Sequence, residues 1–399
     1  MDITVFPGQL SGNLQAIPSK SQAHRVLICA AFADKPTFVH CKQTNDDIEA
    51  TADCLNSLGA KIKRTDTGYF IEPVRTIPDQ ATLNCRESGS TLRFMLPIVG
   101  ALGIDTVFNL SGRLPKRPLS PLWEEMERMG CSLSRPSENQ IQCSGRLRAG
   151  SYIIDGGISS QFITGLLFAA ALICGHSTIE ITGKLESEPY IQLTRQVLHT
   201  FGVNTENYVI DGTYPFKSPE TIAIEGDWSN AAFFLAANIL GSKVDVTNLN
   251  PYSAQGDRAC AKILEELHRG NSTVECKNIP DLVPVLAVAA AANHGATFKN
   301  IARLRLKESD RVESVMSMLH ELGVSATAGA DEMTVLPSAF SGGIINSVND
   351  HRIAMAAAIA ATKAAEPVTI LGADCVKKSY PSFWDEFHRL GGHYEQYIR

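Results

Sequence analysis

The sequence predicts an α/β fold in which one supersecondary unit is repeated six times and packed as two groups of three. Three observations carry this. An Ala/Leu-rich segment opening on small or polar residues recurs six times, a short β-branched run follows each copy, and an amphipathic segment closing near a glycine comes next. The apolar segments begin roughly 55 to 70 residues apart, a spacing that marks an array of one unit. At 399 residues the chain is too long for one ordinary core, so two groups of three also suit its length.

The apolar helices are SKSQAHRVLICAAFA from Ser19, SGSTLRFMLPIVGAL from Ser88 and SSQFITGLLFAAALI from Ser159. They continue as DWSNAAFFLAANILG from Asp227, DLVPVLAVAAAANHG from Asp281 and DHRIAMAAAIAATKA from Asp350. Helices apolar nearly all round are buried helices. The strand runs that follow are TFVHC, TVFNL, STIEIT, SKVDVTNL, ATFKNI and PVTIL, rich in β-branched residues and close to alternating. The second helices are DIEATADCLNSLG, PLWEEMERMG, YIQLTRQVLHTFG, DRACAKILEELHRG, DRVESVMSMLHELG and PSFWDEFHRLGG. In the fifth, Val312, Val315, Met316, Leu319 and Leu322 keep one face apolar, and Gly323 is a natural stop.

The segment TIAIEGDWSN around Glu225 and the N-terminal strand ITVFPGQL lie outside the repeats. We place the crossovers between domains there: one domain spans 17–225, the other joins 1–16 to 226–399.

Composition narrows the function. Apolar content of 44% and charged content of 20% describe a soluble globular protein, and a net charge of −6 offers no global field for nucleic acid. No apolar run reaches the roughly 18 residues of a membrane span. The start, MDITVFPGQLSG, lacks the basic region and apolar core of a signal peptide. The ten cysteines form no CxxC and no zinc-finger spacing, so they read as reduced thiols of a cytoplasmic protein without a structural metal.

The charges that matter gather at helix starts. Lys20 and Arg25 lie in the first turns of the first buried helix, Arg93 in the second, and Arg352 opens the sixth. Arg117, Arg311 and Lys378 precede or open amphipathic helices, and Ser19, Ser159, Ser160 and Ser187 bring hydroxyls to similar places. A cation at a helix N-terminus opposes the helix dipole, and a bound anion offsets that cost. Any one Ser or Asp there is an ordinary cap: Asp310 reads as one, Arg93 as structural, and His24 and His40 as packing or surface residues. Cations at five or more unit starts imply instead a cleft between domains for a substrate, or a pair, carrying several negative charges. In KESDR, read as the opening turn of a helix, Lys307, Glu308 and Arg311 share one face, placing an acid among cations. Cations for a phosphate and an acid for a proton are the parts of group transfer.

In order along the chain stand PSKSQAHR (Pro18 to Arg25), ESGSTLR (Glu87 to Arg93), KRP (Lys116 to Pro118), SSQF (Ser159 to Phe162) and SEPY (Ser187 to Tyr190). QGD (Gln255 to Asp257), IPD (Ile279 to Asp281), KESDR (Lys307 to Arg311), NDHR (Asn349 to Arg352) and KKSYP follow. Ten pieces in order, over essentially the full chain, resemble the 5-enolpyruvylshikimate-3-phosphate synthase family. The resemblance implies the enolpyruvyl transferase fold, an inside-out α/β barrel. It has two similar domains, each of three βαβαββ units with buried parallel helices, joined by two crossover strands. It implies transfer of the enolpyruvyl group of phosphoenolpyruvate to the 5-hydroxyl of shikimate 3-phosphate, with no metal or organic cofactor, by a cytoplasmic monomer.

By the same resemblance, Lys20, Ser21, Arg25, Ser159, Ser160, Gln161, Ser187, Tyr190, Asp281 and Lys307 hold shikimate 3-phosphate. Lys20, Gly89, Arg117, Gln161, Arg311, Arg352 and Lys378 hold phosphoenolpyruvate. Lys20, Asp281 and Glu308 are the catalytic residues. Retained Gly89 implies sensitivity to glyphosate, which mimics phosphoenolpyruvate. Departures from the commoner pattern are Glu87, Ser90, Phe94, Glu188 and Arg303. A related family, UDP-N-acetylglucosamine enolpyruvyl transferase, places a reactive cysteine where this chain has Gly112, and SSQF, SEPY and KESDR favour the shikimate branch. A non-catalytic homologue is the reading from another class, disfavoured because Lys20, Asp281 and Glu308 are all present. An RNA-terminal phosphate cyclase would want a basic surface.

Overall fold

The computed structural model of the chain describes residues 1–212 and 214–397. Two compact units emerge: Pro18–Glu225, and Met1–Ile17 together with the chain from Gly226 onward.

The unit Pro18–Glu225 carries six α-helices among its described residues. They are α1 (Lys20–Ala31), α2 (Asp46–Ser57), α3 (Gly89–Leu102), α4 (Leu122–Arg128), α5 (Ser160–Leu172) and α6 (Glu188–Thr200). The apolar segments are buried as expected: α3 exposes part only of Ser90, and α5 part only of Gln161. α3 and α5 pack closely. Pro97 has no N–H for the Arg93 carbonyl one turn back. That carbonyl lies so near Gly165 of α5 that a side chain at 165 would collide with it.

Each sheet of this unit starts with a parallel pair and then adds antiparallel strands. Gln80–Arg86 runs parallel to Asp105–Leu110 with α3 between them in sequence, and Ser151–Asp155 parallel to His176–Thr182 with α5 between. In the remaining sheet the strand parallel to Thr37–His40 is Thr221–Ala223, from the far end of the unit.

The second unit holds α7 (Trp228–Ile239), α8 (Cys260–Arg269), α9 (Val283–Ala291), α10 (Arg311–Glu321), α11 (His351–Ala361) and α12 (Phe383–Arg389). Its parallel pairs are Ser272–Glu275 with Ala296–Lys299 and Gly343–Asn346 with Val368–Leu371. The third is Lys243–Thr247 with Ser11–Gln15, taken from the start of the chain. Here the structure differs from the single N-terminal strand read in the sequence. Asp2–Val5 pairs with Val368–Leu371 and Tyr394–Tyr397, and only Ser11–Gln15 joins Lys243–Thr247. Pro7 and Gly8 fall in the break, where Pro7 has no N–H to continue a ladder. No helix among the described residues is long and apolar enough to cross a membrane.

Candidate active site

Each unit gathers charged side chains at helix starts. In Pro18–Glu225, Ser19 caps α1, its Oγ accepting the Gln22 N–H at 3.4 Å. The cap leaves Lys20 as the first helical residue, and its ammonium meets Asp47 of α2 at 2.9 Å.

One turn on, Arg25 is buried. Its guanidinium donates to Thr194 Oγ1 at 2.8 Å, Thr164 Oγ1 at 3.4 Å, and the carbonyls of Ser21 at 2.6 Å and Tyr190 at 3.0 Å. It also lies 5.1 Å from the Phe94 ring centroid. All these acceptors are neutral. Burial pushes the Arg25 pKa down to about 9, with Tyr190 and Cys29 opposing. A buried cation among neutral acceptors favours the approach of an anion.

A third cluster surrounds the start of α3. Ser88 caps it, accepting the Thr91 N–H at 3.3 Å, and Gly89 is its first residue. A Cβ at Gly89 would stand 2.7 Å from an Nη1 of both Arg117 and Arg93, so two guanidiniums converge on this turn. Arg93 also donates to Gln161 Oε1 at 2.9 Å and to the Pro118 carbonyl at 3.1 Å. Gln161 Nε2 donates to Ser90 Oγ at 2.9 Å. Arg93, read from sequence as structural, thus stands beside Gly89 and Gln161. Ser159 caps α5 ahead of Ser160, its Oγ accepting the Gln161 N–H at 3.3 Å. Ser187 is buried, in left-handed backbone just before α6. Nearby, the departure Glu87 packs its carboxylate onto Gly112, in the space a side chain at 112 would need.

The second unit builds its cluster on α10 and α11. Asp310 caps α10, accepting the Glu313 N–H at 3.2 Å, and Asp350 caps α11, accepting the Arg352 N–H at 3.0 Å. Arg311 is fully buried. It reaches Asp350 from Nε at 2.9 Å, Asp281 from Nη1 at 2.8 Å and Glu308 from Nη2 at 2.5 Å. Burial opposes its charge, and Asp350, Glu308 and Asp281 overcome that and raise its pKa. Asp281 also meets Lys307 and Arg352, each at 3.3 Å. Burial lowers the Lys307 pKa, Asp281 working against it. Lys378 closes a 3-10 turn and donates to the Asn349 carbonyl at 3.1 Å.

One expectation needs correcting. Lys307 and Glu308 do not sit in the opening turn of a helix, because α10 begins at Arg311. A 3-10 turn, Ala302–Leu306, ends before Lys307, and a bend carries Glu308 and Ser309. The loop, not a shared helix face, brings the three side chains together. Two residues of these clusters escaped the sequence reading. Asp47 is one of several acids in the first turn of its helix, and Asp350 stands where an ordinary cap would. Their signal was charge balance, since a helix opening on an enclosed cation needs a carboxylate near it.

Comparison with known proteins identifies the family. Residues 6–387 match the family EPSP synthase (3-phosphoshikimate 1-carboxyvinyltransferase). Proteins named 3-phosphoshikimate 1-carboxyvinyltransferase are similar over nearly their full length. One from Clostridium kluyveri is 36% identical, the match covering 99% of this chain and 98% of that one. One from Clostridium perfringens is 38% identical, with 98% of each covered. Among solved structures, EPSP synthase from Acinetobacter baumannii superposes with a TM-score of 0.79 at 23% identity, covering 99% of this chain and 100% of that one. The enolpyruvyl transferase NikO from Streptomyces tendae gives 0.77 at 16%, covering 99% and 98%. At those identities the structures speak for the fold, and the sequence relatives carry the family: the chain belongs to the EPSP synthase (3-phosphoshikimate 1-carboxyvinyltransferase) family.

Proposed function

We propose that the protein transfers the enolpyruvyl group of phosphoenolpyruvate to the 5-hydroxyl of shikimate 3-phosphate. The hydroxyl oxygen bonds to C2 of phosphoenolpyruvate while its methylene carbon takes a proton. The tetrahedral adduct then loses phosphate from C2 and a proton from the methyl group, restoring the double bond.

Arg25, Ser21 and Tyr190 receive the ring and its substituents, with Gln161 from α5, and with Asp281 and Lys307 from the second unit. Lys20, Ser159, Ser160 and Ser187 receive the phosphate of shikimate 3-phosphate. Arg117, Gln161 and Gly89 at the start of α3 receive phosphoenolpyruvate, together with Lys20, Arg311, Arg352 and Lys378. Asp281 and Glu308 move the protons, with Lys20 assisting. In this reading both clusters take part in one reaction, carried out by a cytoplasmic monomer.

The observation that carries this reading is Arg311. One buried guanidinium holds both Asp281 and Glu308, at 2.8 and 2.5 Å, with Lys307 beside Asp281. Two acids held in fixed positions beside Lys307 suit proton transfer. The test is phosphate release from phosphoenolpyruvate by the purified protein. Release that requires shikimate 3-phosphate supports the proposal. Release with UDP-N-acetylglucosamine instead moves the chain to the other branch, and silence with both favours a non-catalytic protein.

A further inference from the structure

A chain of side-chain hydrogen bonds runs under the helix starts of Pro18–Glu225. His24 Nδ1 lies 2.7 Å from Thr51 Oγ1, Thr51 Oγ1 lies 2.7 Å from Thr91 Oγ1, and Thr91 Oγ1 donates to Ser88 Oγ at 2.7 Å. The four residues come from α1, α2 and the capping turn of α3, and all four are buried.

Donor counting gives the chain a direction. A hydroxyl carries one proton. The Thr91 proton goes to Ser88 Oγ or to the Asp47 carbonyl at 3.4 Å, and both take it away from Thr51. Thr51 must then donate to Thr91, and His24 must donate to Thr51 from Nδ1. Imidazole Nε2 is left as a bare acceptor, and it has no hydrogen-bond partner. Its ring edge abuts Phe94, centroids 6.3 Å apart in a T-shaped contact. Burial holds the imidazole neutral, its pKa down to about 3, Asp47 opposing and Lys20 and Arg25 adding to the shift. An unsatisfied buried nitrogen is costly, and an apolar side chain would fill the same space without that cost.

The geometry above the chain offers a reason for the imidazole. Lys20 stands four residues before His24 on α1, and Asp47 four before Thr51 on α2. The Lys20–Asp47 ion pair therefore lies one helical turn from the His24–Thr51 bond, on the same faces. At the other end, Ser88 caps the helix that starts at Gly89, where Arg93 and Arg117 converge.

We propose that His24, as the Nδ1–H tautomer, and Thr51 and Thr91 are positioning residues that fix the Lys20 ammonium and the Gly89 turn in one register for phosphoenolpyruvate. This rests on the reading of the site given above. None of the three touches substrate. They act through Lys20 and the start of α3.

Two readouts test it. In protein labelled with 15N-histidine, long-range proton–nitrogen spectra, assigned with His24→Asn, should show the His24 proton on Nδ1. A proton on Nε2 would overturn the direction of the chain. In kinetics, Thr51→Val keeps the shape and removes both bonds. It should raise the KM for phosphoenolpyruvate about tenfold, the size of one lost buried hydrogen bond, with a smaller fall in kcat. Thr51→Ser should restore it. Thr106→Val, which loses a buried hydroxyl bonded to the Ile104 carbonyl at 3.0 Å, is the control for lost stability alone and should leave KM unchanged. An unchanged KM in Thr51→Val, or the same rise in Thr106→Val, would overturn the positioning role. A wild-type protein silent with both substrates would sink the reading of the site and the positioning role with it, while the tautomer signal would still decide the direction of the chain.

Discussion

Arg311 and Asp350 form an ion pair with no solvent exposure on either side chain, Nε to Oδ2 at 2.9 Å. Asp350 is also the cap of α11 and accepts the Ser309 hydroxyl at 3.0 Å. One carboxylate therefore fixes the start of α10, the start of α11 and the loop that carries Glu308. Asp350→Asn keeps a capping side chain and removes the charge. Breaking one side of a buried pair costs about 3 kcal/mol, and chemical denaturation should show a loss of that size. A loss below about 1 kcal/mol would mean that Asp281 and Glu308 suffice to hold Arg311.

Gly89→Ala places a methyl group 2.7 Å from a guanidinium nitrogen of Arg117 and of Arg93. Both arginines must give way, so binding suffers more than folding, since alanine favours the helix that begins there. We expect the KM for phosphoenolpyruvate to rise about tenfold, or about 1.4 kcal/mol. The KM for shikimate 3-phosphate should stay within about twofold of wild type. Wild-type protein should be inhibited by glyphosate at millimolar concentration or below, and this variant more weakly. Steady-state kinetics with both substrates and the inhibitor checks all three.

His24 gives stability a defined pH dependence. Its pKa is lowered on folding from 6.5 to about 3 by burial. Below pH 6.5 the unfolded chain takes up a proton that the folded chain refuses until about pH 3. Stability from this group is therefore complete above the upper value and is lost as the pH falls toward the lower one. The slope is at most about 1.4 kcal/mol per pH unit. His24→Asn should flatten the curve over that window, in denaturation at a series of pH values. Parallel curves for the two proteins would show that His24 does not titrate differently on folding.

The repeat was legible because buried helices need long apolar runs, and DLVPVLAVAAAANHG has no other use for its sequence. Strand pairing was less so. Nothing local says that Ser11–Gln15 pairs with Lys243–Thr247, or Thr221–Ala223 with Thr37–His40, because both pairings join residues distant in sequence. In the site, cations at helix starts stood out because they oppose the helix dipole. Acids at the same places did not, since Asp47 and Asp350 are what a helix start ordinarily carries. Thr51 and Thr91 were invisible for a similar reason. A threonine in a helix has a neutral reading, and only packing shows that its hydroxyl faces a histidine. KESDR misled on form, because four-residue spacing suits a helix as well as a loop closing on one arginine.

The decisive measurement concerns Glu308, held by Arg311 at 2.5 Å. Glu308→Gln keeps the size and hydrogen-bonding shape of the side chain and removes its capacity to exchange a proton. Phosphate release at saturating phosphoenolpyruvate and shikimate 3-phosphate should fall by about a hundredfold or more, the usual contribution of a positioned acid or base, with KM values changed only a few-fold. A variant that turns over at close to the wild-type rate would contradict the proton-transfer role and leave Glu308 as a support for Arg311.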